Sequence, residues 1–525
     1  MLKNSLLTFN SIRHLKPLQI KHQLLYRLKK PKTLKEYRTA EIPDTVCYLK
    51  FVSFPPVYKS YLGDNAFSFL NIDHRFEKEI DWDFQEYGKL WSYNLQYGNY
   101  LLQKDISLDK RYELLKSLYL ALEKDKLELE PYPISLRAIN VIRLLCIDTK
   151  GQKEHDILQN VYAELHFLSK RLEYHILGNH LLENAFALCM GGAFFNRRDW
   201  RDKAINLLIQ ELDEQILADG AHFELSPMYH NIIFFRVLEL IDWYSAYEDK
   251  DAEFLDYFKS VGAKMAAWLQ NIQFKNGDIP LFNDAAKGIA YRNEFLLQYA
   301  MQLEVETIDL PLKESGYHSF ANDIYEIKVD TAQIGASYQP GHAHADALSF
   351  ILYHRSKPLF VEQGTSTYNI GDRRNLERST QAHNTVVVNN RNQSEVWGGF
   401  RVAKRAVTSI LKKKMDEIVA SHDGYKKMGI THTRKFNFDS EGLKIVDSLS
   451  NKGQGVFYLH LYPGSTLIQK DKNSFIVNNT VHIHFSKADS FVIENYTYAE
   501  SYNKYEDGKR IAVRFTTYLE TEISF

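Results

Sequence analysis

The sequence predicts an α+β protein of several domains, in which a helical part is followed by an antiparallel β-sandwich. Across residues 85–303, apolar residues recur at every third or fourth position, which is the spacing of amphipathic helices. The pattern breaks at Asp309-Leu-Pro-Leu, and beyond it the apolar period becomes two, which is typical of strands. The 525 residues therefore divide into an N-terminal arm with lead-in helices (1–84), a helical domain (85–310) and a β-sandwich domain (311–525).

The N-terminal arm is basic, and lysines and histidines interrupt each of its short apolar runs over the first 30 residues. A cleavable export signal needs an unbroken apolar core, so none is expected, and no run reaches the about 18 apolar residues of a membrane span. We predict a helical arm that lies on the body of the protein, with a peripheral membrane contact as the alternative. A cytoplasmic or envelope-associated bacterial protein follows from this prediction.

The helical domain is predicted to consist of serial helical hairpins. Ser107 is a good N-cap for its first strongly periodic segment, and short links rich in Gly, Pro or Asn separate helices of about 15 to 20 residues. No repeat of fixed length is visible, which favours a closed or partly closed helical barrel over a regular solenoid.

The β-sandwich domain is predicted from many short alternating segments with turns between them. Strand-like stretches lie at residues 324–329, 386–388, 406–411, 443–449 and 481–485. Many short strands over about 200 residues are typical of an antiparallel sandwich.

The composition excludes some classes of partner. Lys+Arg (65) and Asp+Glu (66) give a formal net charge of -1, so no overall field recruits nucleic acid or an anionic membrane. The aromatic fraction of 13% offers faces on which sugar rings stack, although protein cores use such residues as well. Cys47, Cys146 and Cys189 are odd in number and lack metal-type spacing, so we interpret them as core residues without a disulfide framework.

The strongest candidate site is Gly-His-Ala-His-Ala-Asp at residues 341–346. In a strand, His342, His344 and Asp346 would share one face with the apolar residues that follow. Two histidines and a carboxylate at the edge of a buried face are suited to act as a base or as metal ligands. Polar residues in two later segments, 360–365 and 382–386, are expected to complete this site.

The helical domain carries two further candidates. Asn179 and His180 precede an apolar helix, where an amide, an imidazole and a helix N-terminus would hold a ligand carboxylate, and a simple N-cap is the alternative. Pro227 starts another helix and places Tyr229 in its first turn, where the phenol either reaches a cleft or packs half-buried.

Several blocks of this sequence resemble the heparinase II/III-like polysaccharide lyases. In the β part they are Gly341-His-x-His-x-Asp-x-Leu-Ser-Phe, Pro358-Leu-Phe-Val-Glu-x-Gly-Thr, Arg378-Ser-Thr-x-Ala-His-Asn-Thr and Gln393-Ser-Glu-Val-Trp. In the helical part they are Leu90-Trp-Ser-Tyr-Asn-Leu, Pro131-Tyr-Pro-x-Ser-Leu-Arg-x-x-Asn and Gly178-Asn-His-Leu-Leu-Glu-Asn. The resemblance implies an (α/α) toroid, an incomplete helical barrel, packed on an antiparallel β-sandwich with the catalytic cleft between them.

The resemblance also implies the reaction, a β-elimination at a 4-linked uronic acid. Tyr229 and His342 match the family's acid/base pair, and Asn179 with His180 matches the residues that hold the uronate carboxylate. A neutral imidazole with a pKa near 6.5 suits the base and a phenol with a pKa near 10 suits the acid, while Tyr229 alone could perform both steps on one face of the sugar. Additional candidate substrate contacts are Arg236, Trp91, Tyr132 and Trp397.

A metal site is implied by the same resemblance. His344, Glu362 and His383 match ligands of what is usually a structural zinc in the β domain, and no organic cofactor is expected. Several relatives have Asp where this chain has Glu362, whose extra methylene moves the carboxylate oxygen. If residues 355–358 form a tight turn, a bulge or strong twist is needed to bring Glu362 to His344.

Two other functions stay open at this point. A glycoside hydrolase would need two facing carboxylates, for which Glu183, Glu224 and Asp284 are the candidates. A non-catalytic polysaccharide-binding or assembly factor would use the same cleft without turnover. In each case the predicted partner is an acidic polysaccharide, and the lack of an export signal suggests a capsule-like polymer that the cell itself makes.

Overall fold

The computed structural model describes residues 2–28, 33–43, 45–148 and 155–525, with side chains from residue 5 onward. The helices are α1 (Leu2–Ile12), α2 (Pro17–Leu28), α3 (Leu34–Tyr37), α4 (Lys89–Tyr97), α5 (Leu108–Glu123), α6 (Pro131–Ile147), α7 (His155–Lys170), α8 (Gly178–Phe194), α9 (Arg198–Gln215), α10 (Pro227–Ser245), α11 (Ala252–Ile272), α12 (Asn293–Gln302) and α13 (Asp372–Glu377). Short 3-10 helices lie at Asn99–Leu102, Thr380–Ala382 and Lys426–Met428.

Three short strands precede α4, and the remaining strands come after α12. They are β1 (Tyr61–Gly63), β2 (Ala66–Phe69), β3 (Ile72–Arg75), β4 (Tyr317–Ala321), β5 (Tyr325–Asp330), β6 (Phe350–His354), β7 (Lys357–Phe360), β8 (Val386–Val388), β9 (Val396–Trp397), β10 (Arg401–Val402), β11 (Thr408–Lys413), β12 (Glu417–His422), β13 (His432–Phe438), β14 (Gly442–Leu449), β15 (Gly455–His460), β16 (Leu467–Gln469), β17 (Ser474–Val477), β18 (Val481–Ser486), β19 (Ser490–Ser501), β20 (Lys504–Phe515) and β21 (Tyr518–Ser524). The change from helix to strand thus lies between α12 and β4.

The helices α4 to α12 pack around one continuous apolar core. Its central element is α8, in which every residue except His180 is buried. Glycines let α9 approach α8 closely, because a Cβ on Gly192 would lie 2.5 Å from the backbone nitrogen of Arg201. Such burial on all sides explains why α8 is mostly apolar beyond its first two turns.

The C-terminal strands form three larger antiparallel sheets over a second apolar core. One sheet has eight strands in the order β11-β12-β13-β14-β21-β18-β17-β16, and two have four, β19-β20-β15-β8 and β4-β5-β6-β7. Burial alternates residue by residue along β13 and β14, so one face of each strand meets the core, as the period of two predicts.

The N-terminal arm lies on the body of the protein, as predicted. In α2, Gln19 donates from Nε2 to the carbonyl of Ile176 at 3.1 Å, and the Tyr26 ring stacks on His175 with centroids 4.2 Å apart. The lead-in stretch also contains the small sheet β1-β2-β3, which the helical prediction missed because its strands have only three or four residues. No helix in the described ranges is long and apolar enough to cross a bilayer.

A short loop of the helical domain joins the two halves of the molecule. The backbone N–H of Asp284 donates to the carbonyl of His342 at 3.1 Å, and the Oδ1 of Asn283 accepts from the N–H of His344 at 2.8 Å. The segment that carries the predicted histidines is therefore held by the helical domain as well as by its own.

Candidate active site

The segment 341–346 is irregular, so the prediction that it forms a strand is wrong. Strand β6 begins only at Phe350, and Leu348 has a left-handed backbone with φ 63°. The N–H of Leu348 donates to the carbonyl of Asp330 at 2.9 Å, which fixes this bend. As a result His342 and His344 are not on one strand face, and both instead reach the same carboxylate.

That carboxylate belongs to Asp284, which is fully buried at the domain junction. Its Oδ2 lies 2.9 Å from Nδ1 of His342, and its Oδ1 lies 2.8 Å from Nε2 of His344. The guanidinium of Arg374, also fully buried, pairs with both oxygens, with Nη2 at 2.6 Å from Oδ2. This two-point contact with the guanidinium holds the carboxylate in one orientation.

Asp284 is ionised in this setting. Burial alone would raise the pKa of Asp284, but the charge of Arg374 and the hydrogen bonds from His342 and His344 outweigh it and keep the pKa well below the usual range. An ionised carboxylate only accepts hydrogen bonds, so Nδ1 of His342 carries the proton in the neutral imidazole. Nε2 is then the nitrogen that is free to act as a base.

Tyr229 lies directly against His342. Helix α10 starts where Pro227 predicts, and the Oγ of Ser226 accepts from the N–H of Tyr229 at 3.3 Å. The Tyr229 and His342 rings stack with centroids 3.8 Å apart, and the Tyr229 hydroxyl lies 3.2 Å from that of Tyr368. Burial raises the pKa of Tyr229, so its phenol is protonated at neutral pH.

Asn179 joins this group through Glu224. The Nδ2 of Asn179 lies 2.9 and 3.1 Å from the two carboxylate oxygens of Glu224, and the backbone N–H of Asn179 donates to one of them at 3.0 Å. The other oxygen lies 3.4 Å from Nε2 of His342. The turn before α8 requires Gly178, which has φ 59° and whose Cβ would lie 2.8 Å from Glu224 Oε1.

His180 is the one residue of α8 that is not buried, with its side chain 28% exposed. Its Nδ1 lies 3.1 Å from a carboxylate oxygen of Glu173, and the Tyr132 ring is 4.3 Å away. Burial lowers the pKa of His180, but Glu173 outweighs it, so the net pKa is raised. Tyr132 is half-buried beside this imidazole.

The other three predicted substrate contacts have partners within the protein. Trp91 is a core residue rather than a cleft residue, because it is fully buried and its Nε1 donates to the carbonyl of Ile72 at 3.2 Å. Arg236 is buried and its guanidinium is paired with Glu183 at 2.8 Å and Glu239 at 2.7 Å. Trp397 is half-buried and donates from Nε1 to Ser11 Oγ in α1 at 3.1 Å.

The cluster with metal-binding geometry consists of His344, Asp346 and His383, whose ligand atoms all lie within 4.8 Å of one another. Glu362, the predicted middle ligand, instead places one carboxylate oxygen 2.7 Å from Nδ1 of His383. A bulge interrupts the pairing of β6 with β7, since Leu352 pairs with Phe360 while Tyr353 pairs with Pro358. The structure thus groups Asp346, rather than Glu362, with the two histidines, and Glu362 contacts His383.

The free atoms of this cluster fit a cation. Within the described part of the chain, His344 Nδ1, His383 Nε2 and Asp346 Oδ2 are buried without a hydrogen-bond partner, as is Glu362 Oε1. Each imidazole thus has one nitrogen held by a carboxylate and the other unpartnered, which is the arrangement around metal-binding histidines. Burial lowers the pKa of His344 to about 3, so its imidazole is neutral, the form that binds metals.

The geometry speaks against paired carboxylates of the hydrolase type. Asp284 is bound by Arg374 and two histidines, Glu183 by Arg236, and Glu224 by Asn179. A general acid needs a raised pKa. The pKa of Asp284 is lowered, and although burial raises the pKa of Glu183, Arg236 binds that carboxylate. Glu224 and Asp284 are therefore supports of the histidine and amide, a role that sequence reasoning did not assign to them.

Comparisons with known proteins identify the family. The model of the heparinase II/III N-terminus matches residues 152–305, and that of the heparinase II/III-like C-terminal region matches residues 307–525. This chain belongs to the heparinase II/III-like family. The two matches meet close to the change from helix to strand.

Three curated relatives are 22 to 26% identical to this chain over the stretches that match. The heparin-sulfate lyase of Bacteroides stercoris is 26% identical over 324 residues, which cover 55% of this chain and 46% of that protein. The heparin-sulfate lyase of Pedobacter heparinus is 25% identical over 273 residues, covering 45% and 40%. The chain spans about half the length of the curated relatives it matches.

Solved heparinase structures share the fold. A crystal structure of heparinase III has a TM-score of 0.71 at 17% identity and covers 94% of this chain and 88% of that one. A mutant of the heparan sulfate lyase HepC from Pedobacter heparinus has a TM-score of 0.62 at 16% identity, covering 94% and 87%. The predicted fold class, a helical toroid followed by an antiparallel β-sandwich, is confirmed.

Proposed function

We propose that this protein is a polysaccharide lyase that cleaves a uronic-acid-containing polysaccharide by β-elimination. The observation that carries the proposal is the stack of Tyr229 on His342, whose Nδ1 is held by the ionised Asp284. The reaction removes the C5 proton and expels the sugar bound at O4, which leaves an unsaturated uronate end. Membership of the heparinase II/III-like family supports this choice over the hydrolase.

The first requirement is to neutralise the substrate carboxylate. The C5 proton is acidic only when the charge on the adjacent carboxylate is withdrawn, because removing it builds an enolate-like intermediate. Glu173 raises the pKa of His180, which favours its cationic form next to the substrate carboxylate, and Asn179 supplies an amide donor. The amide has two N–H groups, so Asn179 can donate to the uronate and to Glu224 at the same time.

The proton transfers are divided between His342 and Tyr229. His342 takes the C5 proton at Nε2, and the resulting imidazolium lies between the carboxylates of Asp284 and Glu224, which stabilise it. Tyr229 donates its phenol proton to O4 of the leaving sugar. Burial raises the pKa of Tyr229, which disfavours the phenolate and therefore favours Tyr229 as the acid and His342 as the base.

The proposal also includes a metal ion bound by His344, His383 and Asp346. The buried nitrogens of His344 and His383 with the Asp346 carboxylate suit zinc, which binds nitrogen and oxygen ligands tetrahedrally. When bound, zinc would cross-link segment 341–346 to the segment that carries His383. His342 then keeps its direction, because it lies two residues from His344.

The proposed substrate is a 4-linked uronate polymer. The named relatives are heparin-sulfate lyases, which places their substrate in this class. A capsule-like polymer made by the cell itself, processed at the cell envelope, is the second substrate of this class that we propose.

The test is the ultraviolet absorbance of unsaturated uronate during incubation with heparan sulfate, alginate, hyaluronan and capsular extracts. A rise that Tyr229→Phe abolishes is expected. New reducing ends without this absorbance would replace the proposal with hydrolysis. Binding of a polymer without either product would replace it with a polysaccharide-binding factor.

A further inference from the structure

The two helices of the N-terminal arm turn polar side chains towards the body of the protein. In α2, Gln19 is buried and donates to the carbonyl of Ile176, while the rings of His22 and Tyr26 pack on Tyr174 and His175 with centroids 4.9 and 4.2 Å apart. In α1, Asn10 is buried. A surface helix normally presents its apolar stripe to the core, so this orientation is inverted.

The apolar residues of the arm face outward. Ile20, Leu24 and Leu28 follow at intervals of four, so they form one stripe on α2, opposite to Gln19 and Tyr26, with exposures of 42, 59 and 79%. In α1, Leu6, Phe9 and Ile12 are likewise exposed. We call these six residues the outer arm face.

Basic residues flank the outer arm face. Lys21 and Arg27 are exposed on the two sides of the α2 stripe, and Arg13 is exposed between the helices. Nine lysines and arginines, and no aspartate or glutamate, occur in the first 35 residues. The chain as a whole has a formal net charge of -1, so the rest of it carries an acidic excess and the positive charge is concentrated at the arm.

We infer that the outer arm face docks on an anionic lipid membrane, with α1 and α2 lying in the plane of the interface. An apolar stripe flanked by lysines and arginines is the pattern of interfacial helices, whose apolar side enters the headgroup region while the cations bind anionic lipids. This inference concerns a surface outside the proposed cleft and does not depend on the proposed reaction.

Charge and polarity decide against two other occupants of this face. A second copy of the chain would bring its own basic arm against this one, and like charges across an interface are unfavourable. An acidic polysaccharide would satisfy the cations, but it offers no apolar phase for six exposed large apolar side chains. An anionic membrane offers anionic headgroups for the cations and an apolar phase for the exposed side chains.

The experiment is sedimentation of the full-length protein with vesicles that contain phosphatidylglycerol, compared with purely phosphatidylcholine vesicles. The variant Ile20→Ser/Leu24→Ser/Leu28→Ser is expected to lose at least about tenfold in partition coefficient. Lys21→Gln and Arg27→Gln are expected to lose about fivefold each, and added salt is expected to weaken binding. Ile410→Ser/Leu411→Ser on β11, where the side chains are 45 and 61% exposed, is the matched control and keeps full binding.

Several results would overturn the inference. Equal binding to both kinds of vesicle, or equal loss in the β11 control, would show that the arm's charge and position are irrelevant. A concentration-dependent mass by light scattering that the triple serine variant abolishes, without vesicle binding, would assign the face to a second copy. Retention on an acidic polysaccharide matrix that depends on Lys21 and Arg27 alone, again without vesicle binding, would assign it to that polymer. Absence of all three interactions would refute the inference.

Circular dichroism checks that each variant is folded.

Discussion

His342 and His344 are two residues apart and use the same carboxylate in opposite ways. Asp284 holds His342 through Nδ1 and His344 through Nε2. The free nitrogen of His342 is therefore Nε2, which lies near Glu224, and that of His344 is Nδ1, which is buried without a partner. One carboxylate thus leaves Nε2 available on one imidazole and Nδ1 on the other, and in the proposed function the first suits proton transfer and the second suits a metal.

Replacing Asp284 removes the carboxylate that holds both His342 and His344, and it has the largest expected effect. In Asp284→Asn, no carboxylate keeps the proton of His342 on Nδ1, and Arg374 is left buried without its carboxylate. We expect lyase activity to fall by about 10³ to 10⁴-fold and unfolding free energy to fall by about 3–5 kcal/mol. Product absorbance and urea denaturation measure these, with Asp323→Asn at a fully exposed site as control. Normal activity in Asp284→Asn would contradict the shared role.

The division of labour at the catalytic half is tested by Tyr229→Phe and His342→Gln. Each is expected to lower kcat by about 10² to 10⁴-fold, because each removes one proton transfer. A model substrate with a good leaving group at O4 needs no acid, so it should rescue Tyr229→Phe and leave His342→Gln inactive. Rescue of neither variant would instead indicate that Tyr229 is the base.

The proposed metal site is tested by comparing Asp346→Asn with Glu362→Gln. We expect Glu362→Gln to weaken zinc binding by about 10 to 100-fold, since Glu362 orients His383. Asp346→Asn should weaken it more, since a ligand oxygen loses its charge. Competition with a chelator measures both affinities, and the thermal midpoint with and without zinc gives a second readout. The reverse order would restore Glu362 as the ligand.

The smallest expected effect is a pH dependence at His180. Because Glu173 raises its pKa above the ordinary value, the cationic form and its contribution to stability are present below the unfolded-state pKa and are lost as pH rises through the raised pKa. KM should therefore increase across that range, by a few fold at most, since 28% of the side chain is exposed. His180→Gln should have a high KM that does not vary with pH there. A wild-type KM that is constant with pH would exclude a cationic role.

The fold could be predicted because its main signals are local. Apolar periods of 3.6 and 2 report which face of each element is buried, and Pro227 and Ser226 start α10 through contacts within one turn. Segment 341–346 misled the same reasoning, because alternation in the letters imitates a strand while the bend at Leu348 depends on a hydrogen bond to Asp330.

The site was only partly predictable for a related reason. Tyr229, His342 and Asn179 are brought together as the motifs suggested, but Asp284 and Arg374 are 90 residues apart and reveal their pairing only in three dimensions. Asp346 appeared as one member of a strand face, and its role beside His383 follows from the irregular backbone. Trp91 lies within a matching motif for packing reasons, which a motif alone does not distinguish from contact with a ligand.

Gly178 makes the corner beneath Asn179 hard to alter in evolution. A side chain there meets a backbone cost of about 1–2 kcal/mol from the left-handed conformation and a clash with Glu224 at 2.8 Å. Shortening Glu224 would relieve the clash but not the backbone cost, and it would release the Asn179 amide as well. No single compensating change restores the corner, so sequences that share this arrangement should keep glycine at position 178.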